Sequence, residues 1–181
     1  METVYRPELW RDLYVMLGTS SAALLGLLYV VTSLHLDEIV NNTAYRIRAR
    51  SNSIFLIIML AEAALILTPQ PMELLGLELV AISLFGWSFP IRNSYRYYYK
   101  ERDLGRRGGF VPYRALAFHG SFLFVFAGGV CLIEGLHWGM YLVTASYIVL
   151  IIAVAMNAWA IMLGVGQDEN LTKVKPKRRA R

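Results

Sequence analysis

Apolar and polar positions along this chain do not alternate with the short period of a strand or mark one stripe of a helix. They fall into long blocks. Five apolar blocks cover residues 13–34, 53–68, 74–91, 115–134 and 139–165. Blocks of this length with almost no charge are the pattern of segments that cross a bilayer. Lipid offers a backbone N–H or C=O no partner, so each block predicts a helix, and crossing takes about 20 residues at a rise of 1.5 Å each. The second block is short and predicts a helix that borrows a turn from 50–52, while the fifth is long enough to tilt or protrude.

The breaks agree with that reading. Pro69 and Pro71 close the second helix and restart the third, which predicts a tight hairpin. A second hairpin is expected at Gly135–Trp138, where the indole suits a membrane interface. The longest connection, 92–114, carries Tyr95, Tyr97, Tyr98 and Tyr99 and then Gly105-Arg106-Arg107-Gly108-Gly109. It predicts a third helix that is kinked by Pro90, emerges through an aromatic belt and ends in a basic turn. The expected fold is an all-α integral membrane protein of five transmembrane helices. These form one domain over 1–166, followed by a disordered basic tail over 167–181. No repeat of 20–50 residues is visible.

Composition changes this picture little. Hydrophobic residues make up 56% of the 181, only 17% are charged, and the mean hydropathy is +0.45, against about 25% charged in a soluble domain. The first twelve residues mix acids with bases and resemble no secretory signal. The single cysteine, Cys131, forms no intramolecular disulfide.

Charge sets the orientation. With five spans, one side of the membrane receives all but two of the 18 Lys and Arg residues, the exceptions being Arg6 and Arg11. The positive-inside rule makes that side cytoplasmic, with the N-terminus outside. The same distribution turns the net charge of +5 toward a membrane surface and away from nucleic acid. Anionic lipid headgroups are the expected contacts of Arg92, Arg96, Arg106, Arg107, Lys177, Arg178 and Arg179.

Candidate chemistry lies in the few polar residues within the blocks. Glu62 and Glu78 stand at equal distance from Gln70, so antiparallel helices joined there bring both carboxylates to one depth. Thr19, Ser20 and Ser21 on the first helix reach the same outer layer. Two carboxylates at one depth could share a proton or ligate a hard cation. An inner layer is expected from His119 and Asn157, hydrogen-bonded to each other, with His35 at the interface. A bis-imidazole haem b is disfavoured because His35 and His119 differ in depth by about a turn, and no cofactor is expected. Gly18, Ala22 and Gly26 form a small-xxx-small face for close helix packing, within the chain or against a second protomer.

No P-loop, dinucleotide fingerprint, zinc-protease motif or nucleophile elbow occurs, so no enzyme is expected. The stretch 9–37 carries Trp10, then Leu17-Gly18-Thr19-Ser20-Ser21-Ala22-Ala23-Leu24-Leu25-Gly26, and later Ser33-Leu34-His35-Leu36-Asp37. It resembles the first helix of small bacterial multi-pass membrane proteins of unknown function, some of them labelled modulators of the FtsH protease. That resemblance implies a bacterial inner membrane and no catalytic residue. The expected function is a small channel- or transporter-like protein, expected to be oligomeric, that moves a cation or proton past the Glu62/Glu78 layer. The alternative is an accessory or assembly subunit that binds another membrane protein through its small-residue faces.

Overall fold

The computed structural model describes residues 7–41, 43–100 and 112–174. A 3-10 turn, Pro7–Leu9, precedes α1 (Arg11–Leu34), α2 (Leu36–Asn41), α3 (Thr43–Leu67), α4 (Met72–Lys100), α5 (Pro112–Ile133) and α6 (Gly139–Val174). No strand occurs among the described residues. Five stretches are long and apolar enough to cross a membrane: Arg11–Leu34, Tyr45–Leu67, Met72–Arg92, Leu116–Ile133 and Gly139–Trp159.

The helices outrun their apolar blocks. α3 begins at Thr43 and carries Arg46, Arg48 and Arg50 in its first turns. α4 continues through Pro90 to Lys100. α6 runs on to Val174, so the first part of the expected tail is helical. Hydropathy marks the hydrocarbon layer, about 30 Å thick, and a helix is free to continue into the headgroup region where charged side chains are solvated.

Helices α3, α4, α5 and α6 pack as a ring in chain order, and α1 lies in the groove between α3 and α6. The ring is filled by Phe55 of α3, whose side chain meets Phe118 and Phe122 of α5 at ring-centroid distances of 4.8 and 5.7 Å. One end of the bundle holds the start of α1, the Thr68–Pro71 turn and the Glu134–Trp138 turn. Trp10 closes this end with an edge contact to Tyr141 at 5.1 Å.

Glycines set the closest approaches. A Cβ on Gly76 of α4 would stand 2.6 Å from the carbonyl oxygen of Gly129 on α5, and one on Gly129 would stand 2.9 Å from that of Gly76. One residue away, Gly128 faces α6, where an added Cβ would lie 2.8 Å from the Gly139 oxygen. The doublet Gly128-Gly129 thus lets α5 dock closely on both neighbours, the small-residue packing that membrane helices use in place of a hydrophobic drive. Beyond it, Gly135 takes a φ of 75° and Leu136 N–H reaches back to the Cys131 carbonyl at 2.8 Å, which closes α5 with a left-handed cap.

Candidate functional site

The bundle's polar chemistry is organised by the seam between α3 and α6. On α6 the buried positions include Met140, Val143, Tyr147, Leu150, Val154 and Asn157, spaced by three and four in turn. On α3, Asn52, Phe55, Met59, Glu62 and Ile66 repeat the same spacing, and all are buried. This is the heptad spacing of helices packed knobs into holes. Because the two run antiparallel, Asn52 meets Asn157 at one end and Glu62 comes level with Tyr147 at the other, about 15 Å along the axis.

At the upper end, α1, α3 and α6 converge. Glu62 is 2% exposed, and its Oε1 has no hydrogen-bond partner. The Tyr147 hydroxyl donates to the Met59 carbonyl, one turn before Glu62 on α3, and lies beside Ser21 of α1. Ser21 is fully buried and donates to the Leu17 carbonyl at 2.9 Å. Tyr14 stacks edge-on against Tyr147, with centroids 5.9 Å apart, and its hydroxyl meets Thr144 Oγ1 at 3.0 Å. A lone carboxyl therefore sits in a pocket of aromatic rings and hydroxyls.

The expected pairing of Glu62 with Glu78 is not what the seam produces. Glu78 is half-buried, and its Oε2 accepts from Gln70 Nε2 at 2.8 Å, in the turn after α3. Sequence distance from the hairpin fixes depth but not rotation about the helix axis. The core positions of this part of α4 are Leu75 and Leu79, both fully buried, and Glu78 flanks them. The expected hydroxyls also divide. Ser21 joins the pocket, Ser20 bonds back to the Met16 carbonyl at 2.8 Å, and Thr19 is exposed.

The inner layer is corrected in the same way. Asn157 donates to Asn52 Oδ1, and Asn52 Nδ2 reaches the Val154 carbonyl at 3.4 Å, while Asn157 Oδ1 is buried without a partner. His119 instead accepts at Nδ1 from Trp87 Nε1 of α4, at 2.8 Å. It precedes the α6-facing Gly128 by about two and a half turns and so points away from α6. That bond requires the neutral imidazole with its proton on Nε2. His35 caps the end of α1. Between the two polar layers lie Phe55, Met59, Leu150 and Val154, each at most 3% exposed. They form an apolar plug.

Of the expected packing face, Gly18 meets the Ala63 side chain of α3, where an added Cβ would be 3.2 Å away. Ala22 and Gly26 are exposed, and nothing stands within 4 Å of a Cβ built on Gly26. Arg92 is exposed, with its guanidinium 6.0 Å from the Phe89 ring centre. Arg96 belongs to the last turns of α4. Arg106, Arg107, Lys177, Arg178 and Arg179 lie outside the described residues. Among the described residues no three His, Cys, Asp or Glu side chains gather as a metal site would require.

The asparagine pair carries a direct test. Asn52→Leu strands Asn157 in the seam and should cost about 1–2 kcal/mol, near the upper range for a hydrogen bond between membrane helices. Asn52→Leu/Asn157→Leu together should cost less than the sum of the single changes, read as thermal midpoints in detergent.

Five helices of this length and hydropathy define a multi-pass, all-α membrane protein. No known protein family, curated protein or solved structure matches the chain.

Proposed function

We propose that the protein is a small channel- or transporter-like protein of the bacterial inner membrane that carries protons through Glu62. The observation that carries this reading is the Glu62 carboxyl itself. It is buried at the junction of α1, α3 and α6 with an unpartnered oxygen. An unpaired buried polar group is expensive, and an ionisable residue at membrane depth that faces the bundle interior is by default a functional one. A proton suits the pocket better than a hard cation. Ca²⁺ takes 6–8 oxygen ligands, whereas the neighbours here are one carboxyl and a few hydroxyls already engaged in hydrogen bonds. The apolar plug below Glu62 is the barrier in this conformation, and movement of α6 against α3 would open it. Five helices enclose a path only narrowly, which favours a working oligomer.

Proteoliposomes with an imposed membrane potential test this. Wild-type protein is expected to admit protons, reported by an internal pH dye, and Glu62→Gln to abolish the flux while eluting as a folded species. Absence of proton flux in wild type defeats the proposal. Recovery of a stoichiometric membrane partner alongside that absence would favour the accessory-subunit reading, for which the uncovered Ala22 and Gly26 positions of α1 offer a surface.

A further inference from the structure

The connection between the first two spans is a short helix whose apolar and polar positions are segregated. The first span ends at Leu34 and the second begins at Tyr45. The short helix α2 (Leu36–Asn41) occupies the gap and is held to α3 by Ile39, 3% exposed, which packs with Ala49 and Tyr45. With Ile39 inward, Leu36 and Val40 share one face, 54% and 49% exposed. At 100° per residue they continue the apolar arc that begins at Ile39, while Asp37 and Asn41 fall on the opposite, polar arc. Such segregation in a helix at the end of a span belongs to the membrane interface plane, with apolar residues set into the acyl boundary.

Two arginines stand beside this face. Arg46 and Arg50 are both exposed and lie one turn apart on the same side of α3. The Arg46 guanidinium reaches the Val40 carbonyl at 3.5 Å, which places its charge against the end of α2. Measured back from Leu67, about 20 residues of α3 fill the hydrocarbon layer. That leaves Arg46 at headgroup level and Arg50 at the acyl boundary. A lipid-facing guanidinium at that depth must extend toward the surface and meet an anion there. Its planar fork matches a phosphate in two-point geometry.

We propose that α2 and the Arg46/Arg50 face form a binding site for the headgroup phosphate of an anionic phospholipid, with Leu36 and Val40 set beside its acyl chains. The site is independent of proton carriage by Glu62. It draws on residues outside the basic tail and the 92–114 connection, where the other expected lipid contacts lie.

The test uses the full chain in nanodiscs of phosphatidylcholine, with spin-labelled phosphatidylglycerol or spin-labelled phosphatidylcholine as the probe. Wild type should immobilise the phosphatidylglycerol probe preferentially. R46Q/R50Q should weaken that preference by about fivefold for each arginine removed, the equivalent of about 1 kcal/mol per basic residue at an anionic surface. R46K/R50K, which keeps the charges but not the planar fork, should lose part of the preference, less than R46Q/R50Q does, and controls for folding. In a Cys131→Ser background, a fluorophore on Val40→Cys should be quenched by chain-labelled lipid and shielded from aqueous iodide. An unchanged preference in R46Q/R50Q overturns the proposal, as does iodide access at position 40. Reversal of the preference by soluble glycerol phosphate would also overturn it, by assigning the arginines to free phosphate.

Discussion

A Glu62→Met chain is expected to be more stable than wild type and inert in proton flux. Glu62 Oε1 is buried without a hydrogen-bond partner, and leaving such a group unsatisfied costs about 1–3 kcal/mol. Methionine has similar volume, adapts to irregular gaps and requires no partner. The thermal midpoint of the purified protein should therefore rise by the equivalent of that amount. Flux should fall to the level of empty vesicles, because the group that takes the proton has gone. Gain of stability with loss of activity at one residue is the signature of a functional site maintained against stability. A purely structural Glu62 predicts the reverse, with the methionine chain less stable. Asn52 and Asn157 offer the contrast, since their mutual hydrogen bond makes either single replacement destabilising.

The second large effect concerns the fold. Gly76→Val is expected to prevent recovery of a folded chain, and Gly76→Ala to lower stability by about 1–3 kcal/mol, the usual cost of overpacking. The atoms that an added Cβ would meet include the Gly129 carbonyl oxygen at 2.6 Å and the Ile133 nitrogen at 2.9 Å. These are backbone atoms of α5, so no side-chain rotation relieves the clash and α4 and α5 must move apart. Gly26 provides the internal control. Nothing lies within 4 Å of a Cβ there, so Gly26→Ala should be neutral or stabilising by up to about 1 kcal/mol through helix propensity. Recovery of Gly76→Val, and the thermal midpoints of Gly76→Ala and Gly26→Ala read by size-exclusion chromatography after heating, decide the matter. Equal midpoints for Gly76→Ala and wild type would contradict the α4–α5 contact.

The spans were legible because a bilayer imposes a length and a polarity that hydropathy reads directly. The helix ends were not, since Thr43 and Val174 lie where charged residues cost nothing and helix continues without an apolar signal. Depth was legible too. Distance from the hairpin at Gln70 gave Glu62 its level, and the entry of the first helix from the same side gave that of Ser21; both are buried where α1, α3 and α6 converge. Rotation about the axis was lost, so Glu78 was matched to Glu62 although it bonds Gln70, and His119 to Asn157 although it bonds Trp87. A signal for rotation was present in the sequence. The three-and-four spacing of Met140, Val143, Tyr147, Leu150, Val154 and Asn157 marks one face of α6, and Asn52, Phe55, Met59, Glu62 and Ile66 mark its counterpart on α3. Laid antiparallel, these two rows bring Asn52 to Asn157 and Glu62 to Tyr147. The Gly76–Gly129 contact is harder to foresee. It needs one small residue from each of two helices, and the spacing of small residues within a single helix led instead to Gly18, Ala22 and Gly26, of which Gly18 alone is buried.

Proton carriage through Glu62 requires it to act as a lone protonatable carboxyl in the membrane, without Glu78 as its partner. A hydrophobic carbodiimide tests it most directly, since the reagent partitions into lipid and adds to protonated carboxyl groups in apolar surroundings. Wild-type proteoliposomes would be treated during flux, and the adducts located by peptide mass spectrometry. Modification is expected at Glu62 and not at Glu78, with loss of proton flux in proportion to the Glu62 adduct. Modification at Glu78 in place of Glu62, or full flux from protein carrying the Glu62 adduct, would contradict proton carriage through Glu62.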